Sequence, residues 1–115
     1  AYCYCPEEAE MLAREGIDIL VSHVGLTAGG DVGVKQASPM EEAITKTQAI
    51  LSAGRAVRRD IIPLCHGGPI VKPEDVARVV KETCAVGFVA ASSIERLPIE
   101  TAVSSTVQAL KSITK

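Results

Sequence analysis

The chain has only two histidines, His23 and His66, and both stand beside glycines at the end of an apolar run. His23 lies in the segment SHVG at residues 22–25, and His66 lies in CHGG at residues 65–68. A strand that only packs needs neither residue type, whereas histidine titrates near neutral pH and transfers protons. For one histidine, packing and function are equally good interpretations, but two at equivalent positions predict a functional site.

A second group of residues has the chemistry of an anion site. Gly67 and Gly68 let backbone N–H groups approach an anion closely, because no side chain intervenes. Arg96 offers a planar fork that suits phosphate or carboxylate. Two alternatives stay open, since the glycines could form only a tight turn and Arg96 could pair with Glu95. Together with His66, these residues are interpreted as a phosphate- or carboxylate-binding site.

Further polar residues follow the predicted fourth strand. Ser92 and Ser93 are expected to donate hydrogen bonds to the ligand. Glu95 is expected to orient a histidine or to act as a base. All three would lie at the same end of the sheet as the histidines, where parallel α/β proteins bind their ligands.

The loop at residues 26–37 is long for a strand-to-helix connection, which usually has about two to six residues. Gly29 and Gly30 make it flexible, and we predict that it is a lid that orders over the ligand. Asp31 is the only acid in this loop and is the candidate ligand for Mg²⁺, which takes carboxylates and keeps several waters. The alternative for Asp31 is a solvated loop aspartate.

Four strand–helix units are predicted to position these residues. Strands are predicted at residues 1–5, 17–25, 61–65 and 86–92, and helices with apolar residues at helical spacing follow them. Ser38, Pro39 and Glu41 predict a capping box at the second helix. The last helix, at about residues 98–112, carries a stripe that we expect to be buried, made of Ile99, Ala102, Val103, Val107, Leu110 and Ile113.

Regular alternation of strands and helices predicts an α/β fold with parallel strands and right-handed crossovers. Two architectures accommodate it: a small doubly wound sheet, or half of an eight-stranded TIM barrel, which has about 250 residues. A half barrel would expose two sheet edges and an apolar inner face. On that interpretation the chain is a fragment, or it completes itself with another chain.

The length, composition and net charge of the chain limit the kinds of partner that we expect it to bind. A length of 115 residues is that of one domain or segment, and 47% hydrophobic residues can build a core. The net charge of −2 argues against a nucleic-acid-binding surface, and no apolar run approaches the roughly 20 residues of a membrane span. Four cysteines without a CxxC pair are interpreted as reduced, packed side chains of a cytoplasmic protein.

Three long phrases resemble the phosphoenolpyruvate hydrolase-like TIM-barrel family, the C-terminal barrel module of plant tomato mosaic virus resistance-type proteins. They are ILVSHVGLTAGGDVG, LCHGGPIVKPEDV and GFVAASSIERLPIETAV, and the resemblance extends over nearly the whole chain. It implies that residues 1–115 are the C-terminal four β/α units of the barrel, completed by a missing N-terminal half or a second chain. The last two strands would then be the seventh and eighth, whose loops form the usual phosphate site.

We therefore expect an enzyme-like segment that binds a small phosphorylated or carboxylate metabolite similar to phosphoenolpyruvate. Hydrolase or lyase chemistry with Mg²⁺ is what the resemblance implies, with His23 or His66 transferring a proton. Two other classes stay open. One is a non-catalytic ligand-binding or signalling module, and the other is a self-assembling half-barrel unit. Exposed half-barrel faces make a homo-oligomer the expected state, and neither nucleic acid nor membrane is expected as a partner.

Overall fold

The computed structural model describes residues 1–31 and 33–113, which form one four-stranded parallel sheet with intervening helices. In chain order the elements are β1 (Tyr2–Cys3), α1 (Pro6–Arg14), β2 (Ile19–His23), α2 (Met40–Val57), β3 (Ile62–His66), α3 (Pro73–Glu82), β4 (Gly87–Phe88), α4 (Ser92–Glu95) and α5 (Leu97–Lys111). Strands and helices alternate as the sequence predicted, so the α/β class is confirmed.

The order of the strands decides between the two architectures that the sequence left open. Neighbouring strands pair in parallel and in chain order, β1-β2-β3-β4. A doubly wound sheet reverses its strand order at a switch point, whereas a TIM barrel adds each strand on the same side of the last. The described residues are therefore four consecutive β/α units of a barrel wall.

One face of the sheet carries the core. Cys3, Leu20 and Cys65 have no exposed surface, and they share one apolar cluster with Ile50 and Leu51 of α2, which are also fully buried. Side chains alternate between the two faces of a strand, so this cluster uses only every second strand residue. The helices α1 and α2 thus cover one side of β1, β2 and β3.

The opposite face of the sheet is open. Ile19 and Ile62 are register partners on this side, Tyr2 is level with Val21, and the three exposed side chains Tyr2, Ile19 and Ile62 keep 46%, 43% and 46% of their surface accessible. In a complete barrel this face points inward and the remaining strands enclose it. Four units cannot close around it, so side chains that a whole barrel buries lie on the surface here.

The expected burial of the last helix is wrong for the described residues. Ile99, Val103, Val107, Leu110 and Ile113 are between 44% and 75% exposed, and no residue of α5 is buried. The structure extends 67 Å along its longest axis, against 24 and 20 Å across. The physical reason is that β4 is a two-residue edge strand, and residues 1–31 and 33–113 form no further strand beyond it to support α5.

Helix starts follow the sequence signals at α1 and α3 but not at α2. Pro6 and Pro73 occupy the first turn, and the Asp75 carboxylate accepts the backbone N–H of Lys72 at 2.8 Å. The capping box expected from Ser38 is absent, because Pro39 is extended (φ −54°, ψ 146°) and the helix begins only at Met40. Of the described helices, none has the length and apolar character needed to cross a bilayer.

The cysteines Cys3 and Cys65 behave as small core residues. Burial raises the pKa of each of these thiols to about 11. They therefore stay protonated near neutral pH, which makes them poor nucleophiles and poor metal ligands. Cys5 and Cys84 are partly buried, and the four cysteines are free thiols.

Candidate functional site

The fold brings His23 and His66 together. They end β2 and β3, they are register partners, and they project to the open face of the sheet. Their ring centroids are 4.9 Å apart with an interplanar angle of 70°. The sequence placed both histidines at the same end of the sheet, and the register of the strands puts them side by side.

Two tyrosines that the sequence analysis did not select complete this cluster. The ring of Tyr2 is centred 5.6 Å from His23 and 5.1 Å from His66, and the ring of Tyr4 is 4.8 Å from His23. The ring of Phe88 is centred 6.3 Å from that of His66. The signal was present in the segment YCYC, because alternation in a strand places both tyrosines on the face opposite to Cys3.

Each histidine ring has a backbone partner at Nδ1. In His66, Nδ1 is 2.7 Å from the carbonyl oxygen of Val89, just after β4. In His23, Nδ1 accepts the N–H of Gly25 at 3.3 Å. These contacts fix the orientation of both rings from the loops that follow β2 and β4.

The environment of His23 disfavours its protonated form. Burial is the main cause that lowers the pKa of His23, and the positive charges that His66 and Lys46 can carry add to it. His23 is therefore a neutral imidazole at neutral pH, able to donate or accept a hydrogen bond.

This lowered pKa predicts a loss of stability in mild acid. As the pH falls through about 6.5, the ordinary histidine pKa, the unfolded chain takes up a proton at His23 before the folded chain does, because folding lowers the pKa of this ring. Stability contributed by the neutral ring is therefore complete above that pH and decreases as the pH falls. We expect the free energy of unfolding to fall more steeply from about pH 7.5 to 5.5 in the wild type than in His23→Gln, measured by urea titration. Parallel pH profiles would contradict this assignment.

The Gly67–Gly68 pair forms a tight turn against the loop after β2. Both residues have positive φ, at +83° and +59°, which favours glycine. The N–H of Gly68 donates to the oxygen of Gly25 at 2.8 Å, and the oxygen of Gly68 accepts the N–H of Ala28 at 3.1 Å. The glycines therefore form the turn that the sequence left open as an alternative, and binding of an anion by them stays a prediction.

Arg96 pairs with Glu100 and not with Glu95, the partner considered from the sequence. Its guanidinium lies 2.8 Å from the Glu100 carboxylate and donates to the Gly29 oxygen at 3.3 Å. The same carboxylate accepts the backbone N–H of Asp31, and these two contacts lower the pKa of Glu100, the Asp31 contact most. Residues four apart on a helix face one another, whereas adjacent residues do not.

The predicted lid loop is thus anchored to the Arg96–Glu100 ion pair by contacts at Gly29 and Asp31. Gly29 and Asp31 contact the Arg96–Glu100 pair, and Ala28 bridges to Val34 within the loop. Replacement of Gly30 by any larger residue would bring a Cβ within 2.5 Å of both Arg96 and Glu100 atoms. Whether the loop orders over a ligand stays a prediction.

The remaining predicted site residues are divided among three surfaces. Ser92 and Arg96 line a pocket of about 230 Å³ beneath Leu26 and Thr27. Ser93 borders an apolar groove beside α3, and its buried hydroxyl has no hydrogen-bond partner within the described residues. Glu95 is exposed and lines a third pocket with Asp31, Arg96, Ile99 and Glu100.

Residues 1–31 and 33–113 do not form a metal site from protein side chains alone. No three His, Cys, Asp or Glu side chains among them are grouped so that they could hold an ion. Asp31 brings one carboxylate, and the neighbouring Glu100 oxygens are occupied by Arg96 and by the Asp31 N–H. A single carboxylate does not make a site for Mg²⁺, although the ion also binds through one or two carboxylates together with substrate phosphates.

Comparison with known proteins extends over almost the whole chain. The sequence profile described as phosphoenolpyruvate hydrolase-like matches residues 1–113. Two proteins of Solanum lycopersicum, ToMV susceptible protein tm-1(GCR26) and ToMV resistance protein Tm-1(GCR237), are 51% identical over 113 residues, which are 97% of this chain and 15% of theirs. A Sinorhizobium fredii protein, provisionally named transcriptional regulatory protein y4pA, is 31% identical over 98% of this chain and 19% of its own.

The chain therefore spans less than a fifth of the length of these curated relatives. Four parallel β/α units in consecutive order agree with a segment of a TIM barrel. With a matching profile over 113 residues, the chain belongs to the phosphoenolpyruvate hydrolase-like family, whose fold is the TIM barrel.

Proposed function

We propose that the chain forms part of a TIM-barrel site that binds a small phosphorylated or carboxylate metabolite similar to phosphoenolpyruvate. The observation that carries this proposal is the pairing of His23 and His66, 4.9 Å apart at the carboxyl end of the sheet. TIM-barrel enzymes bind ligands at this end, with phosphate commonly at the last two strands. The family description supplies the ligand class, and hydrolase or lyase chemistry is included because the histidines can accept protons.

Arg96 is the cation of the proposed anion site. Its guanidinium contacts the Glu100 carboxylate and the Gly29 oxygen. A phosphate or carboxylate would take the place of Glu100 on the guanidinium, since Arg binds both groups through the same fork. Ser92 lines the same pocket and offers a hydroxyl donor. Ligand binding would then change the contacts that hold Gly29 and the rest of the loop.

Mg²⁺ is proposed only as the companion of a phosphorylated ligand. Asp31 is the candidate protein ligand, and phosphate oxygens and waters would supply the other positions. A metal effect is therefore expected in the presence of phosphoenolpyruvate and not with Mg²⁺ alone.

Thermal unfolding with and without phosphoenolpyruvate and Mg²⁺ tests the proposal. A ligand at about 100 times its Kd stabilises the folded state by about 2.7 kcal/mol. For a domain of this size, that stabilisation raises the unfolding midpoint by roughly 10 °C. We expect His66→Asn and Arg96→Gln to lose this rise, because each removes a group of the site.

Arg78→Gln is the matched control for Arg96→Gln. Arg78 forms ion pairs with Glu41 at 3.0 Å and Glu82 at 2.9 Å, and it belongs to α3 and not to the strand ends. This variant should keep the full rise. The absence of a rise in the wild type, or a rise that survives both site variants, would contradict the proposed site.

A non-catalytic binding or signalling module is the second candidate. The names of the relatives favour it, because they describe virus susceptibility, virus resistance and transcriptional regulation, and none describes a reaction. Measurement of product formation separates the candidates. A midpoint rise with phosphoenolpyruvate, without release of phosphate or pyruvate, supports the module.

Assembly is the third candidate, and the exposed apolar surfaces favour it. The open sheet face and the apolar stripe of α5 expose apolar side chains to water. We propose that the remaining barrel half or a second copy of the chain buries them. For self-pairing, light scattering should give a mass above the 12.1 kDa of one chain, and the unfolding midpoint should rise with protein concentration. A monomer with one sharp unfolding transition at high temperature would rule out both sources of cover.

A further inference from the structure

The backbone partners of the two histidines determine which ring nitrogen carries the proton. A carbonyl oxygen can only accept, so Nδ1 of His66, 2.7 Å from the Val89 oxygen, must be the protonated nitrogen. A backbone N–H can only donate, so Nδ1 of His23, which accepts from Gly25 at 3.3 Å, must be unprotonated. In the neutral state the two rings are therefore opposite tautomers.

Opposite tautomers leave opposite groups at the second nitrogen of each ring. Neutral His66 has a lone pair at Nε2, and neutral His23 has an N–H at Nε2. The ring centroids are 4.9 Å apart, and within the described residues no hydrogen bond joins the two rings. His66 keeps only 8% of its surface exposed. A ligand that reaches both rings would meet one proton acceptor and one hydrogen-bond donor side by side.

We infer that the histidines have separate roles, His66 as the proton acceptor and His23 as the hydrogen-bond donor of the site. The roles rest on the proposed function, whereas the tautomers rest on the hydrogen bonds alone. When His66 takes a proton from a ligand hydroxyl or a water, the electron pair stays on that oxygen and the ring becomes an imidazolium. The Val89 carbonyl stabilises this cation, because a hydrogen bond from a charged donor is stronger than one from a neutral donor.

His23 cannot act as the matching acid. A neutral imidazole that gave up its Nε2 proton would become an anion, which is far too basic to form near neutral pH. Neutral histidine instead polarises a ligand oxygen through its N–H, as a neutral histidine does in triosephosphate isomerase. The pair consequently selects a ligand with an oxyanion or carbonyl oxygen next to an O–H or a bound water, which describes carboxylate and phosphate metabolites.

The tautomers can be measured on the unliganded chain. In a ¹⁵N-labelled sample at about pH 8, above the ordinary histidine pKa, long-range ¹H–¹⁵N correlation spectra distinguish Nδ1–H from Nε2–H rings. We expect His66 to be Nδ1–H, the tautomer that free histidine disfavours, and His23 to be Nε2–H. His66→Asn or His23→Asn alone assigns both sets of signals, because the chain has only two histidines. An Nε2–H ring at His66 would overturn the inference.

Binding measurements test the roles. Titrated with phosphoenolpyruvate, and separately with inorganic phosphate, His23→Gln should bind within about threefold of the wild type because its amide keeps a donor. His23→Leu should bind about tenfold or more weakly, as expected for the loss of a hydrogen bond to a charged group. Equal weakening by both substitutions would overturn the donor role. If neither anion binds the wild type, the proposed function fails, while the unliganded spectrum still decides the tautomers.

Discussion

Replacement of Gly67 by alanine is expected to destabilise the chain by about 3 kcal/mol. The residue has φ +83°, and a left-handed conformation costs a side-chain-bearing residue about 1–2 kcal/mol. An alanine Cβ would also clash with the Gly25 oxygen, a backbone atom that cannot rotate away. Overpacking of this kind adds about 1–3 kcal/mol. Urea unfolding measures the sum.

Gly16→Ala is the matched control, because Gly16 has nearly the same φ as Gly67 without the close contact. Its φ is +84°, and the nearest atom to a new Cβ is a nitrogen of the Arg58 side chain at 4.0 Å. We expect a loss of only about 1–2 kcal/mol. Equal losses at both positions would show that the turn relaxes away from Gly25. The difference between the two variants therefore measures how rigidly the β2 and β3 loops are packed.

Substitution of Ile50 by alanine is expected to have the second large effect, a loss of about 2–5 kcal/mol. Ile50 has no exposed surface and belongs to the core cluster between α2 and the sheet. Removal of its side chain loses the burial of those carbons and leaves a cavity. The decrease in the free energy of unfolding, measured by urea titration, checks the value.

Ile99→Ala removes the same atoms from α5 and separates core packing from hydrophobicity. Ile99 is 62% exposed, so the free energy of unfolding should change by no more than about 0.5 kcal/mol. A loss as large as that of Ile50→Ala would contradict the exposed α5 and show that something covers the helix. If that loss appeared only at high protein concentration, the cover would be a second copy of the chain.

The strand-end residues show how much of the candidate site could be predicted from the sequence. His23 and His66 each follow an apolar run, so their place at one edge of a parallel sheet followed from the strand pattern. Tyr2 and Tyr4 were predictable in principle from alternation, but their distance from the histidines depends on a register that pairs Tyr2 with Val21. No local signal encodes that pairing.

The acidic and basic residues after β4 show what could not be predicted from the sequence. Arg96 was predicted to bind an anion, yet its guanidinium contacts Glu100 and the Gly29 oxygen of the loop. Glu95 lines a pocket with Asp31 and Arg96, and neither histidine is among the residues that line it. Ion pairs depend on which way each side chain leaves its helix, and the break at Arg96 between the short α4 and α5 could not be foreseen from helical periodicity.

The sequence by itself determined the four β/α units, the parallel sheet and the end at which the polar residues lie, because each follows from local patterns of two or about 3.6 residues. Only the tertiary structure decided the consecutive strand order, the opposite tautomers of His23 and His66, and the exposure of α5. These features depend on contacts between residues distant in the chain, such as His66 with Val89. An apolar stripe predicts that a helix needs a partner, but the surrounding strands decide whether it has one.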